Sequence, residues 1–161
     1  VRAMVAGAAL LLVVAAAVVV RSLWLDSVTV SSGSMAPTVC TGDLVLLVRM
    51  HGDEAARIDD IVTFPSPQDG GQVIKRVVAV AGQSVVIKDA QLFVDGRAVD
   101  EPYVDHASID GVYTATVIVP DHSVFVMGDN RENSIDSRSY GPIPTSIIDG
   151  RMLWDMWHDC S

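Results

Sequence analysis

The chain has 161 residues, with 20 acidic against 11 basic side chains and a formal charge of -9. That balance argues against a nucleic-acid-binding face, which needs a basic surface, and the length holds one compact domain besides a short apolar anchor. The four histidines, His51, His106, His122 and His158, match no metal-ligand spacing, so neither a metal nor another cofactor is implied.

Residues 3–20 are eighteen consecutive apolar residues. At about 1.5 Å per residue they match the hydrocarbon thickness of a bilayer. Residues 1–25 are therefore expected to be an N-terminal transmembrane anchor. A cleaved leader with small residues at 15–17 is the alternative. Arg2 and Arg21 flank the run almost symmetrically, so charge does not choose an orientation. Trp24 fits an interfacial anchor in contact with lipid.

Beyond the anchor the pattern turns to strands, and residues 26–161 are expected to form a mostly β, antiparallel domain. Val28-Thr29-Val30 alternates, residues 43–49 read as a buried strand, and residues 60–64 form another before Pro65. Residues 51–59 are polar and read as a loop. β-branched residues dominate 72–81. Residues 83–88 and 91–94 are short strands, and Asp95-Gly96 marks a tight hairpin. Strands are also expected at 112–119, 123–127 and 147–154. Met152, Trp154, Met156 and Trp157 read as core side chains rather than lipid contacts.

Three stretches carry chemistry. Ser32-Gly33-Ser34-Met35-Ala36-Pro37-Thr38 lies between two strands and places a hydroxyl where Gly33 allows a sharp turn and Pro37 stops a helix. A serine is a weak nucleophile and needs a base and oxyanion donors that this loop does not itself supply. Lys75 sits inside an apolar strand. Buried, its amine loses protons more easily and can serve as a general base; on an edge strand it snorkels to water instead. Residues 128–138, Gly-Asp-Asn-Arg-Glu-Asn-Ser-Ile-Asp-Ser-Arg, carry enough hydrogen-bonding groups to form a rigid network. The two cysteines, Cys40 and Cys160, form no CxxC or zinc pattern and leave one disulfide or two free thiols open.

These three blocks, with Ile74-Lys75-Arg76-Val77-Val78 as the second, stand in an order that resembles the type I signal peptidases, membrane-anchored serine proteases that release secreted proteins from their leaders. The resemblance implies a Ser/Lys dyad with Ser34 as nucleophile and Lys75 as base, and an oxyanion hole from the Ser32 hydroxyl and the Ser34 amide. It also implies that Ser134 orients the lysine, that Asp129, Asp136 and Arg138 support the site, and that Val28, Val30, Met35 and Ile74 line pockets selecting Ala-x-Ala. By the same resemblance the domain has two antiparallel sheet regions, faces outward from the cytoplasmic membrane and acts on preproteins, as a monomer. Pairing of Cys40 with Cys160 would tie the tail near the nucleophile loop. The competing readings are a self-cleaving Ser/Lys domain of the kind found in SOS-response repressors and a non-catalytic, membrane-tethered β-domain of the secretion machinery.

Overall fold

The structure is a computed structural model that describes residues 11, 13–15, 24–50, 55–104, 115–155 and 160. Of the expected membrane span, residues 11 and 13–15 are helical and the rest lies outside the described residues. Among the described residues no helix is long and apolar enough to cross a membrane.

The β-branched runs form antiparallel strands in two sheets. In chain order they are β1 (Leu25–Thr29), β2 (Leu44–Arg49), β3 (Ile61–Pro65), β4 (Gln72–Val80), β5 (Ser84–Lys88), β6 (Gln91–Val94), β7 (Arg97–Ala98), β8 (Val117–Ile118), β9 (Ser123–Met127), β10 (Ile143–Pro144) and β11 (Gly150–Asp155). The larger sheet has the order β1-β2-β11-β3-β4-β9-β10, and the smaller β7-β6-β5-β8. A single helical turn, α1 (Ser137–Tyr140), follows β9 and is capped by the Asp136 carboxylate, which accepts from Arg138 N–H.

β4 is the strand that joins these parts. Residues 72–76 pair with β3, and from Arg76 onward the strand pairs with β9, with a register shift between Val77 and Ala79. Its alternating side chains therefore serve different cores. Val77 packs with Val62, Phe64, Val124 and Val126. Val78 meets Val85, Ile87 and Leu92 of the smaller sheet, while Ile74 joins Val30, Met35, Val39, Val45 and Leu47 under the Ser34 loop. The Asp95-Gly96 turn between β6 and β7 has positive φ at both residues, 51° and 74°, as a two-residue hairpin requires.

Two strand expectations change. The strand expected at 112–119 is a strand only at Val117–Ile118, and residues 112–114 lie outside the described residues. The closing strand begins at Gly150 rather than 147, because Thr145–Ile147 is a 3-10 turn and Asp149 is drawn to β3, its N–H donating to Thr63 O at 3.0 Å. Met152 packs partly against the cluster under the nucleophile loop, whereas the side chains of Trp154, Met156 and Trp157 lie outside the described residues. Of the loop expected at 51–59, residues 55–60 are irregular or turn and 51–54 lie outside the described residues. The two cysteines form one disulfide, Cys40–Cys160, across 120 residues of sequence.

β11 lies between β2 and β3 because Gly150 lets the backbones approach. A Cβ there would sit 2.7 Å from Thr63 Oγ1 and 3.4 Å from the Leu47 side chain. Gly150→Ala overpacks the middle of the larger sheet and should cost about 1–3 kcal/mol. The check is the midpoint of urea unfolding, which should fall with an unchanged slope.

Candidate active site

The loop joining β1 to β2 turns tightly, with Ala36 N–H donating to Gly33 O at 3.2 Å and Val39 N–H to Met35 O at 2.9 Å. Ser34 is buried, at 6% exposure, and its Oγ lies 2.8 Å from Lys75 Nζ and 3.3 Å from Ser32 Oγ. Among the described residues nothing accepts from Ser34 N–H, which leaves that donor for a developing oxyanion. Gly33 is not the conformational requirement expected of it. Its φ is not positive, and an added Cβ would meet only ordinary contacts at 3.8 and 3.9 Å.

Lys75 does not snorkel. It is 2% exposed, and its amine donates to Ile74 O at 2.8 Å as well as meeting Ser34. Burial pulls its pKa below the ordinary lysine value of 10.5. Asp136 opposes that fall, Arg138 adds to it, and Asp129 opposes it. The loss of hydration outweighs the two acids, each of which is paired with an arginine. Asp136 accepts from Arg138 Nε and Nη2, both at 2.8 Å, and Asp129 accepts from Arg76 Nε at 2.9 Å and Nη2 at 2.7 Å.

The polar segment after β9 wraps the nucleophile loop. Asn130 donates from its backbone to Ser34 O and from its side chain to Gly33 O, both at 3.1 Å. Thr38 at the far end of the loop donates to Asp129 at 2.5 Å. Ser134 gives its hydroxyl proton to Asp136 Oδ2 at 2.8 Å, and Gly128 N–H donates to the same oxygen at 3.0 Å. Among the described residues, Lys75 Nζ is hydrogen-bonded to Ser34 and to the Ile74 carbonyl, not to Ser134. A Cβ on Gly128 would collide with the Ser134 side chain and the Ser34 carbonyl oxygen, so the residue that must be glycine is here rather than at Gly33.

A cleft of about 120 Å³ opens beside the pair, with Val28, Val30, Ser32, Val45 and Ile74 in its wall. That is room for a small side chain. Met35, expected in this wall, is instead fully buried in the cluster beneath it with Val39 and Leu47. The cleft lies between two open strand edges. Among the described residues β1 ends the larger sheet, and residues 72–75 of β4 pair only with β3.

Several residues of the site are absent from the sequence expectations. Arg76 forks onto Asp129, and its guanidinium lies 4.0 Å from the centre of the Tyr103 ring. Arg131 and Glu101 form a second buried pair. A charged residue directly after Lys75 in an apolar strand signals Arg76, whereas Glu101-Pro102-Tyr103 gives no local sign of a partner 30 residues away.

Among proteins of known family, residues 3–157 match the family model described as signal peptidase, peptidase S26. The chain is 35% identical over 134 residues to a probable signal peptidase I-1 of Synechocystis, covering 78% of this chain and 67% of that protein. It is 37% identical over 130 residues to signal peptidase I V of Bacillus subtilis, covering 73% and 77%. A crystal structure of a signal peptidase I from Enterococcus faecalis superposes with a TM-score of 0.55 at 29% identity, over 62% of this chain and 98% of the other. The dyad-like pair, the small cleft and these matches converge: the chain belongs to the signal peptidase family, peptidase S26.

Proposed function

We propose that the chain is a membrane-anchored serine endopeptidase that removes N-terminal signal peptides from exported preproteins after a small-x-small site such as Ala-x-Ala. The observation that carries this reading is the buried amine of Lys75, 2.8 Å from the Ser34 hydroxyl. A non-catalytic binding domain has no use for a desolvated base beside a serine.

The chemistry follows from the geometry. Neutral Lys75 accepts the Ser34 proton as Oγ attacks the scissile carbonyl carbon. The Ser34 N–H and the Ser32 hydroxyl donate to the oxyanion. The lysine ammonium then protonates the departing amine, leaving an acyl-serine, and the regenerated amine takes a proton from the water that hydrolyses it. An extended substrate strand entering between β1 and the open half of β4 meets backbone groups on both sides, and the small cleft rejects bulky side chains. Asp129, Asp136, Arg138 and Ser134 hold this arrangement in register. Val28, Val30 and Ile74 shape the cleft wall, with Met35 packed underneath.

The apolar run at residues 3–20 supports a single-pass anchor in the cytoplasmic membrane, with residues 26–161 as the outward-facing protease domain, working as a monomer. Trp24, 54% exposed at the start of the described domain, fits the lipid interface.

Ser34→Ala and Lys75→Met should each lower kcat on an Ala-x-Ala preprotein by at least about a thousandfold, as loss of a nucleophile or its base does. The assay is cleavage in detergent micelles with the product mapped by mass spectrometry. An inert wild-type chain would leave a tethered binding domain as the reading.

The lowered pKa of Lys75 also links to stability. Between that value and 10.5 the unfolded chain holds the lysine proton while the folded one does not, so folding becomes more favourable as pH rises through the window. Below the window both states are protonated, and the folded state bears the full cost of a buried ammonium. Lys75→Met should therefore be more stable than wild type at low pH, and its advantage should shrink as pH climbs toward 10.5. Paired denaturation curves across that range isolate the effect, since every other group titrates in both proteins.

A further inference from the structure

We infer that Glu101 is a positioning residue for the nucleophile loop, acting through Arg131 on the turn that grips Ser34. The inference rests on the peptidase reading above. Glu101 is fully buried as a side chain, and Arg131 is 2% exposed. Their fork is bidentate, with Arg131 Nη2 donating to Glu101 Oε1 and Nη1 to Oε2 at 3.0 Å. The third guanidinium donor, Nε, is spent on the backbone: it reaches Gly128 O at 3.0 Å.

Gly128 is the point where that restraint meets the chemistry. Its Cα is packed against the Ser134 side chain and the Ser34 carbonyl so closely that no Cβ fits. Two residues on, Asn130 holds the carbonyls of Gly33 and Ser34. A shift of the Gly128 carbonyl is therefore passed to the hydroxyl that must stay 2.8 Å from Lys75. Small misplacements of a reacting group cost large factors in rate.

The same turn holds the other arginine beside the site. Tyr103 points its hydroxyl toward Glu101 Oε1 at 3.5 Å and lays its ring on the Arg76 guanidinium, whose fork fixes Asp129. Glu101-Pro102-Tyr103 thus closes over both buried arginines flanking the catalytic turn. Stability alone does not account for such a pair, since a buried ion pair adds little over well-packed apolar residues of the same size. A buried bidentate fork does fix geometry.

The test uses the full chain in micelles, with kcat and KM on an Ala-x-Ala preprotein measured well below each variant's melting temperature. Glu101→Gln should lower kcat at least tenfold while KM stays within about threefold. Tyr103→Leu should lower kcat less, by roughly three- to tenfold. Leu92→Ala, which opens a cavity in the core between β4, β9 and the smaller sheet, controls for stability and should keep kcat within about twofold. If Glu101→Gln does not fold, Glu101→Asp keeps the charge but shortens the strut, and the same loss of kcat is expected of it.

Wild-type kcat in the folded Glu101 variant overturns the inference, as does an equal loss of kcat in Leu92→Ala at an equal drop in melting temperature. An inactive wild-type chain overturns the peptidase reading itself, a separate outcome.

Discussion

The interaction on which the rest depends is the contact between a desolvated amine and a serine hydroxyl. Lys75 has no carboxylate as a direct hydrogen-bond partner among the described residues. It is nonetheless surrounded by acids, and an unpaired carboxylate nearby would keep it protonated. The fold resolves this by giving each acid an arginine: Asp129 with Arg76 and Asp136 with Arg138. The acids keep their structural roles as acceptors, Arg138 offsets part of their pull on the lysine, and burial decides the balance.

The scaffold explains why a two-sheet β domain suits this task. β4 is long enough to belong to two neighbourhoods, and Lys75 stands just before its partner changes from β3 to β9. On one side of that switch the strand edge is open and borders the cleft. On the other, β9 runs straight into the Gly128 turn, which returns to hold the nucleophile loop. Lys75, the turn that grips the Ser34 loop and the cleft are thereby set by neighbouring strands of one sheet, whose backbone ladder is far stiffer than a loop. The Cys40–Cys160 disulfide adds a covalent tie between the end of that loop and the C-terminal segment.

Much of the site was legible in the sequence because its chemistry is local. A serine between glycine and proline, a lysine in a run of valines, and a segment dense in Asp, Asn, Ser and Arg each break their surroundings in a way that composition exposes. What was not legible depends on tertiary distance. Gly33 looks like the indispensable glycine because it precedes the serine, yet the crowded one is Gly128, 95 positions later, and only packing against Ser34 O reveals it. The resemblance puts Met35 in a pocket wall, but its side chain turns into the core. Glu101 sits before a proline, and nothing nearby announces Arg131. Ile147-Ile148 is apolar enough to read as strand, but the pull of Asp149 toward Thr63 and Gln72 keeps the ladder of β11 from starting before Gly150.

The chain contains only two lysines, Lys75 and Lys88, which makes the central claim open to direct observation. With lysine labelled with carbon-13 at Cε, the full chain in micelles gives one resonance for the buried amine and one for exposed Lys88 at the end of β5, and both can be followed through a pH titration. Assignment comes from Lys88→Arg. The account predicts that the Lys75 resonance titrates below 10.5 and that its midpoint coincides with the rising limb of kcat. A Lys75 midpoint at or above 10.5, or one unrelated to the kinetic limb, would contradict the assignment of Lys75 as the base for Ser34.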